Sequence, residues 1–151
     1  MLRFARSRDG RVALGLLTDG FEVAQVLREV ERAYRMGDLV PGIDSVVVYE
    51  PGVDLSGISV ADLATVRDCV AHHERSRPDD THPYRGVIVA AEREALIVSS
   101  VYSATWQGSA EPPPRHDIVG SICAAERLLG CGPLADQIAD LRPTPGLRYL
   151  G

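Results

Sequence analysis

The chain contains no lysine, and all 16 of its basic residues are arginine. Without a lysine amine it cannot form a Schiff base, hold pyridoxal phosphate covalently or supply the lysine of a P-loop. Aromatic residues are scarce, with two Phe and one Trp among 151 residues. The core must therefore be built from Val, Leu, Ile and Ala, which suits helix-on-sheet layers better than an aromatic-rich sandwich. No apolar run approaches the roughly 18 to 20 residues of a membrane span. The start, Met1 to Arg8, carries arginines with no apolar block behind them, so neither a span nor a secretory leader is expected and the expected location is the cytoplasm.

Other absences narrow the chemistry. Cys69, Cys123 and Cys131 are odd in number and include no Cys-x-x-Cys pair. They predict buried free thiols in a reducing compartment, rather than a disulfide framework or a thiolate zinc site. There is no Gly-x-Ser-x-Gly elbow and no Gly-x-Gly-x-x-Gly phosphate cradle, and no pair of carboxylates stands out, so no catalytic set and no cofactor is indicated. The net charge of -5 is spread along the chain, whereas a nucleic-acid partner calls for basic charge gathered on one face.

What is present is a chain with enough apolar residues, 45%, for one sizeable core. Leu2 and Phe4, then Asp9-Gly10, then Val12 to Leu17 predict an opening hairpin. Val23, Val26, Leu27, Val30 and Tyr34 recur at helical spacing from about Phe21 to Arg35, and Gly37 is a natural stop. Ser45 to Tyr49 reads as a buried strand. Ser59 caps a second helix with Asp62 in its first turn, and this helix buries Val60, Leu63, Val66 and Val70 up to about Glu74. Arg75 to Pro83 is a polar loop. Tyr84 to Ala91 is a further buried strand, and Leu96, Ile97, Val101, Tyr102 and Thr105 mark a third helix ending near Gly108. Glu111 and the prolines Pro112, Pro113 and Pro114 form a stiff connector into a short strand at Ile118-Val119. Ile122, Ala125, Leu128 and Leu129 make a last helix stopped by Gly130. The expected organisation is an α/β domain over residues 1–130, then an extension over 131–151 with a short helix, Leu134 to Leu141, and a tail containing Pro143, Pro145 and Gly146.

The order of these elements resembles the SpoIIAA-like fold, shared by STAS domains (anti-sigma-factor antagonists) and Sec14-related lipid-binding proteins. The resemblance covers about Val12 to Gly130. It is carried by the two opening strands before an amphipathic helix, the Ser45 to Tyr49 strand, the loop Asp54-Leu55-Ser56-Gly57-Ile58-Ser59 entering a helix, and Asp117-Ile118-Val119 before Ala124 to Gly130. It implies a bacterial protein with a mixed sheet, helices mainly on one face, and a non-enzymatic regulatory role exerted by binding a protein partner or a second copy. It also implies a phosphorylatable hydroxyl near an acid at the third strand's loop, where Asp54, Ser56 and Ser59 stand. Leu55 separates acid from hydroxyl, a departure from the usual adjacent pair, and Ser59 is equally explained as a helix cap.

A second expectation comes from a different cluster. Tyr102, Trp106, the triple proline and His116 lie around one connector and mark a candidate pocket for a small apolar or lipid ligand. Trp106 closing the core edge under a stiff loop accounts for the same residues. An enzyme is the third reading, with Cys123 at a helix start and His116 as its candidates. The adjacent His72 and His73 point about 100° apart on a helix and do not readily face one ion, and neither they nor His82 or His116 is assigned a metal.

Overall fold

In the computed structural model, which describes residues 1–108 and 112–143, the chain forms a five-stranded mixed sheet in the order β1-β2-β3-β4-β5. Its strands are β1 (Leu2–Arg6), β2 (Val12–Leu17), β3 (Asp44–Tyr49), β4 (Arg85–Val89) and β5 (Arg115–Val119). Only β1 runs antiparallel, pairing with β2 across the Asp9-Gly10 turn, while β2 to β5 are parallel. The helices are α1 (Val23–Met36), α2 (Val60–Glu74), α3 (Arg93–Thr105), α4 (Ile122–Leu129) and α5 (Ala135–Ala139). Glu111, in the connector, and the tail from 144 onward lie outside the described residues.

Topology explains where the helices sit. Each crossover, through α1, α2 and α3 in turn, steps to the neighbouring strand in the same direction. The right-handed preference of such connections sends all three helices to one face of the sheet. The expectation of helices mainly on one face is met by these three. The shorter α4 and α5 cover the other face, where Ala125, Leu134 and Ile138 pack on Val12, Leu14, Leu16, Val46, Val48, Val87 and Val89. Successive strand residues point to opposite faces, so β2 divides into Val12, Leu14 and Leu16 on the α4/α5 side and Ala13, Gly15 and Leu17 on the α1–α3 side.

The outer edge of β1 is closed by side chains of α1. Gln25 accepts from the Leu2 N–H at 2.8 Å and donates to the Leu2 carbonyl at 2.8 Å. Glu29 accepts from the Phe4 N–H at 2.6 Å, and Arg32 donates to the Phe4 carbonyl at 3.0 Å while pairing with Glu29. Three polar residues at spacings of four and three lie along one stripe of α1. They satisfy backbone groups that would otherwise be open to pairing with another chain. Gly37 ends α1 at φ 83°, a left-handed conformation that glycine adopts without a Cβ clash.

Three expectations about burial need correction. Val60 is 63% exposed, because it lies on the first turn of α2 and the packed stripe begins at Leu63. Leu96 and Ile97 are exposed, whereas Ala95 and Ser99 are buried. Small residues, not the largest aliphatics, bring α3 close to its neighbours, so the predicted apolar face is rotated from the real one. Cys123 is exposed on α4, and Cys69 and Cys131 are half-buried, so the three free thiols are not buried as expected.

Candidate ligand cavity

On the α1–α3 side the sheet carries a cross-strand row of small inward-facing residues. The register aligns Ala13 with Ser45, Ser45 with Gly86, and Gly86 with His116. The adjoining row, Gly15, Val47, Ile88 and Ile118, is mostly large. Where Ser45 and Gly86 fall short of the roof formed by α1 and α2, a cavity of about 130 Å³ remains. Its roof includes Val30, Leu63, Val66 and Val70, and its walls are predominantly apolar. The His116 and Tyr84 rings close in over Gly86, where a Cβ would lie 3.0 Å from the first and 3.1 Å from the second, so a larger residue would push both rings back by a few tenths of an ångström.

Two polar pairs line the cavity. Tyr34 of α1 donates to Glu74 at the end of α2, 2.6 Å away, and the Gly42 N–H donates to the other Glu74 oxygen at 2.9 Å. Burial pushes the Glu74 carboxyl up from its ordinary range, against these two hydrogen bonds. Tyr84 and His116 Nε2 share a hydrogen bond of 2.9 Å. Burial pushes the His116 imidazole down to about 4, against a weaker upward pull from Asp117, so it is neutral at pH 7. Tyr102 completes this wall and burial pushes its phenol up to about 12. The site therefore offers neutral hydrogen-bonding groups and one carboxylate that is already engaged.

Of the residues singled out in the sequence, Tyr102 and His116 do line the cavity, with ring centroids 5.7 Å apart. Trp106 packs on His116 at 5.7 Å and on Tyr84 at 6.1 Å, but it backs the cluster instead of lining the cavity. It faces an outer polar cleft together with Arg75, Arg77, Pro112 and Pro114. Glu74 and Tyr84 belong to both spaces, so they form the partition between cleft and cavity.

The other candidates lie elsewhere. Cys123 is on α4, on the opposite side of the sheet from the face that His116 lines, so the structure does not bring together the two residues of the enzyme reading. Asp54, Ser56 and Ser59 follow the C-terminal end of β3, at the far end of the sheet from the cleft. Asp54 accepts from both the Ser56 hydroxyl, at 2.6 Å, and the Ser56 N–H, at 2.9 Å. The Ser56 hydroxyl thereby holds the exposed Asp54 carboxyl below its ordinary value. Ser59 caps α2, accepting from the Asp62 N–H at 3.0 Å while Asp62 accepts from the Ser59 N–H at 3.2 Å.

Sequence reasoning missed Tyr34, Ser45, Glu74, Tyr84 and Gly86 as site residues. The available signal was the alternation of β3 and β4: Ser45 and Gly86 are the small residues on strands whose other inward positions are Val47, Tyr49 and Ile88. No family model, curated protein or solved structure matches this chain.

Proposed function

We propose that this domain binds a small, largely apolar molecule in the cavity beneath α1 and α2. The observation that carries the reading is the Ser45–Gly86–His116 row, which opens about 130 Å³ inside an otherwise filled layer. Protein interiors are normally close-packed, and an apolar void of this order accepts a benzene-sized guest. The polar pairs Tyr34–Glu74 and Tyr84–His116 supply orientation, so the expected ligand is an uncharged ring or short chain with one hydrogen-bonding group. The outer cleft is the natural approach, through the Glu74–Tyr84 partition.

Indole and toluene are suitable probes, titrated into the purified protein and followed by amide chemical shifts. Saturable shifts centred on Ser45, Gly86 and His116, lost in Ser45→Leu, are expected. Absence of saturable shifts with either probe, or shifts unchanged in Ser45→Leu, would overturn the reading.

A second reading follows the resemblance to STAS domains: a regulatory contact with a protein partner through the Asp54–Ser59 loop. It is favoured by the exposed, hydrogen-bonded Asp54–Ser56 pair and, at the start of the helix that the loop enters, by Val60, an aliphatic side chain 63% exposed. A Ser56→Asp variant is expected to alter partner capture or self-association without altering indole binding. Identical behaviour of the two proteins in both respects would remove this second reading.

A further inference from the structure

We propose that Glu31, Cys69 and His73 form a binding site for a divalent transition-metal ion of zinc-like softness, joining α1 to α2. Cys69 and His73 are four residues apart on α2, so they project one turn apart on the same helix face. Glu31 of α1 meets both. Its Oε1 accepts from the Cys69 Sγ–H at 3.3 Å, and its Oε2 lies 2.9 Å from His73 Nε2. All three potential ligand atoms lie within 4.8 Å of one another, and among the described residues no other group of three does so.

The spacing suits a small tetrahedral ion. With metal–ligand bonds of about 2.0 to 2.3 Å, tetrahedral ligands stand about 3 to 4 Å apart. The two contacts made by Glu31, one through each carboxylate oxygen, are close to that range, and the Cys69 and His73 ligand atoms lie within 4.8 Å of each other. Thiolate, imidazole and carboxylate together favour zinc or cobalt(II). They disfavour magnesium and calcium, which take all-oxygen shells. The His73 ring is held by stacking on Tyr34, with centroids 4.3 Å apart and planes 10° from parallel, and Tyr34 is itself tied to Glu74. The stack fixes the plane of the imidazole whose Nε2 faces Glu31. The Glu31 side chain is 53% exposed, which leaves room for water as a fourth ligand. On binding, the Cys69 Sγ–H proton passes to solvent as the sulfur–metal bond forms, and His73 donates a ring-nitrogen lone pair.

The same three groups without a metal make a hydrogen-bonded clasp between helices, and cobalt(II) titration of the purified, reduced chain separates the alternatives. Binding at this site predicts one equivalent bound, a near-ultraviolet sulfur-to-cobalt charge-transfer band, tetrahedral visible bands and displacement by zinc. The charge-transfer band should disappear in Cys69→Ser and persist when Cys123 and Cys131 are both changed to Ser. Affinity should fall at least about 100-fold in His73→Ala. Glu31→Gln, at an exposed position that does not threaten folding, should weaken binding at least about 10-fold. No charge-transfer band in the native chain, a band that survives Cys69→Ser, or affinity unchanged by both His73→Ala and Glu31→Gln would overturn the site. The readout does not involve the ligand cavity, so its outcome is separate from that of the indole titration.

Discussion

The two faces of the sheet are built from the same strands but solve different packing problems. Against α4 and α5, the rows Leu14–Val46–Val87 and Leu16–Val48–Val89 present large side chains at nearly every inward position. Against α1 to α3, one row shrinks to Ala13, Ser45 and Gly86 before it reaches His116. The first face is held by apolar contact. The second carries an apolar cluster larger still, drawn from α1, α2 and α3, and adds polar ties at its rim: Gln25, Glu29 and Arg32 on β1, Tyr34 and Gly42 on Glu74, and Arg67 donating to the Thr105 carbonyl at 2.6 Å. A cavity-bearing layer can stay ordered when its covering helices are fastened at their edges, and the cavity is then free to serve a ligand.

The strongest way to break this contrast is to exchange its terms. Leu14 is 1% exposed on the filled face, and Leu14→Ala should lower unfolding free energy by about 3 to 4 kcal/mol, the range for a large-to-small change in a core that cannot collapse. Ser45→Leu on the cavity face should lose no stability, because the added methylenes enter existing space. Urea denaturation of the two variants measures both effects. Equal destabilisation by Ser45→Leu would mean that the cavity is already closed by side-chain motion in solution.

Local patterns made the fold legible. The Asp9-Gly10 turn, the helical spacing in α1, the β-branched run of β3 and the glycine stops at Gly37 and Gly130 are all short-range signals, and each corresponds to an observed element. The site was less legible because it depends on register. Ser45, Gly86 and His116 are far apart in the chain and become neighbours only through strand pairing, while Glu74 and Tyr34 meet across two helices. Tyr102 and His116 were found through their proximity to one connector, and Trp106, found the same way, lines the outer cleft with Pro112 and Pro114 and sits behind the cavity wall. Cys69 and His73 have the one-turn helical spacing of a ligand pair, but Glu31 was invisible until α1 and α2 were packed together.

The next prediction tests whether the cavity wall excludes water as effectively as the opposite face. His116 is surrounded by the rings of Tyr84, Tyr102 and Trp106, with Asp117 as the nearby charge that opposes its shift. Its imidazole titrates near 4 in the folded protein against 6.5 when free. As pH falls, the unfolded chain therefore takes up this proton first. The neutral side chain carries no penalty above the free value, and stability is lost progressively as the pH drops below it. Between pH 6.5 and about 5 the expected loss from this residue is about 1.5 kcal/mol. Urea midpoints at the two pH values should show His116→Gln losing less stability on acidification than the native chain. The same acid sensitivity in both proteins would mean a solvated imidazole and a wet cavity wall.

The smallest expected effect concerns how the cavity's roof is secured compared with the helix on the filled face. The N-cap of α2 is a reciprocal capping box between Ser59 and Asp62, whereas Ser121 at the start of α4 makes the one-sided cap, accepting from the Ala124 N–H at 3.1 Å. Ser59→Ala removes the cap's acceptor and leaves the reciprocal Asp62 contact without its counterpart. It should cost about 1 kcal/mol, and Ser121→Ala about half that, both within the usual span for N-cap serines. Hydrogen exchange sharpens the comparison: amides along α2 should open more readily in Ser59→Ala, because Leu63, Val66 and Val70 face the cavity and lack full contact on that side. Protection in Ser121→Ala should change only near the start of α4. If both variants lose protection to the same extent, the two layers are equally well held and the rim ties compensate fully for the cavity.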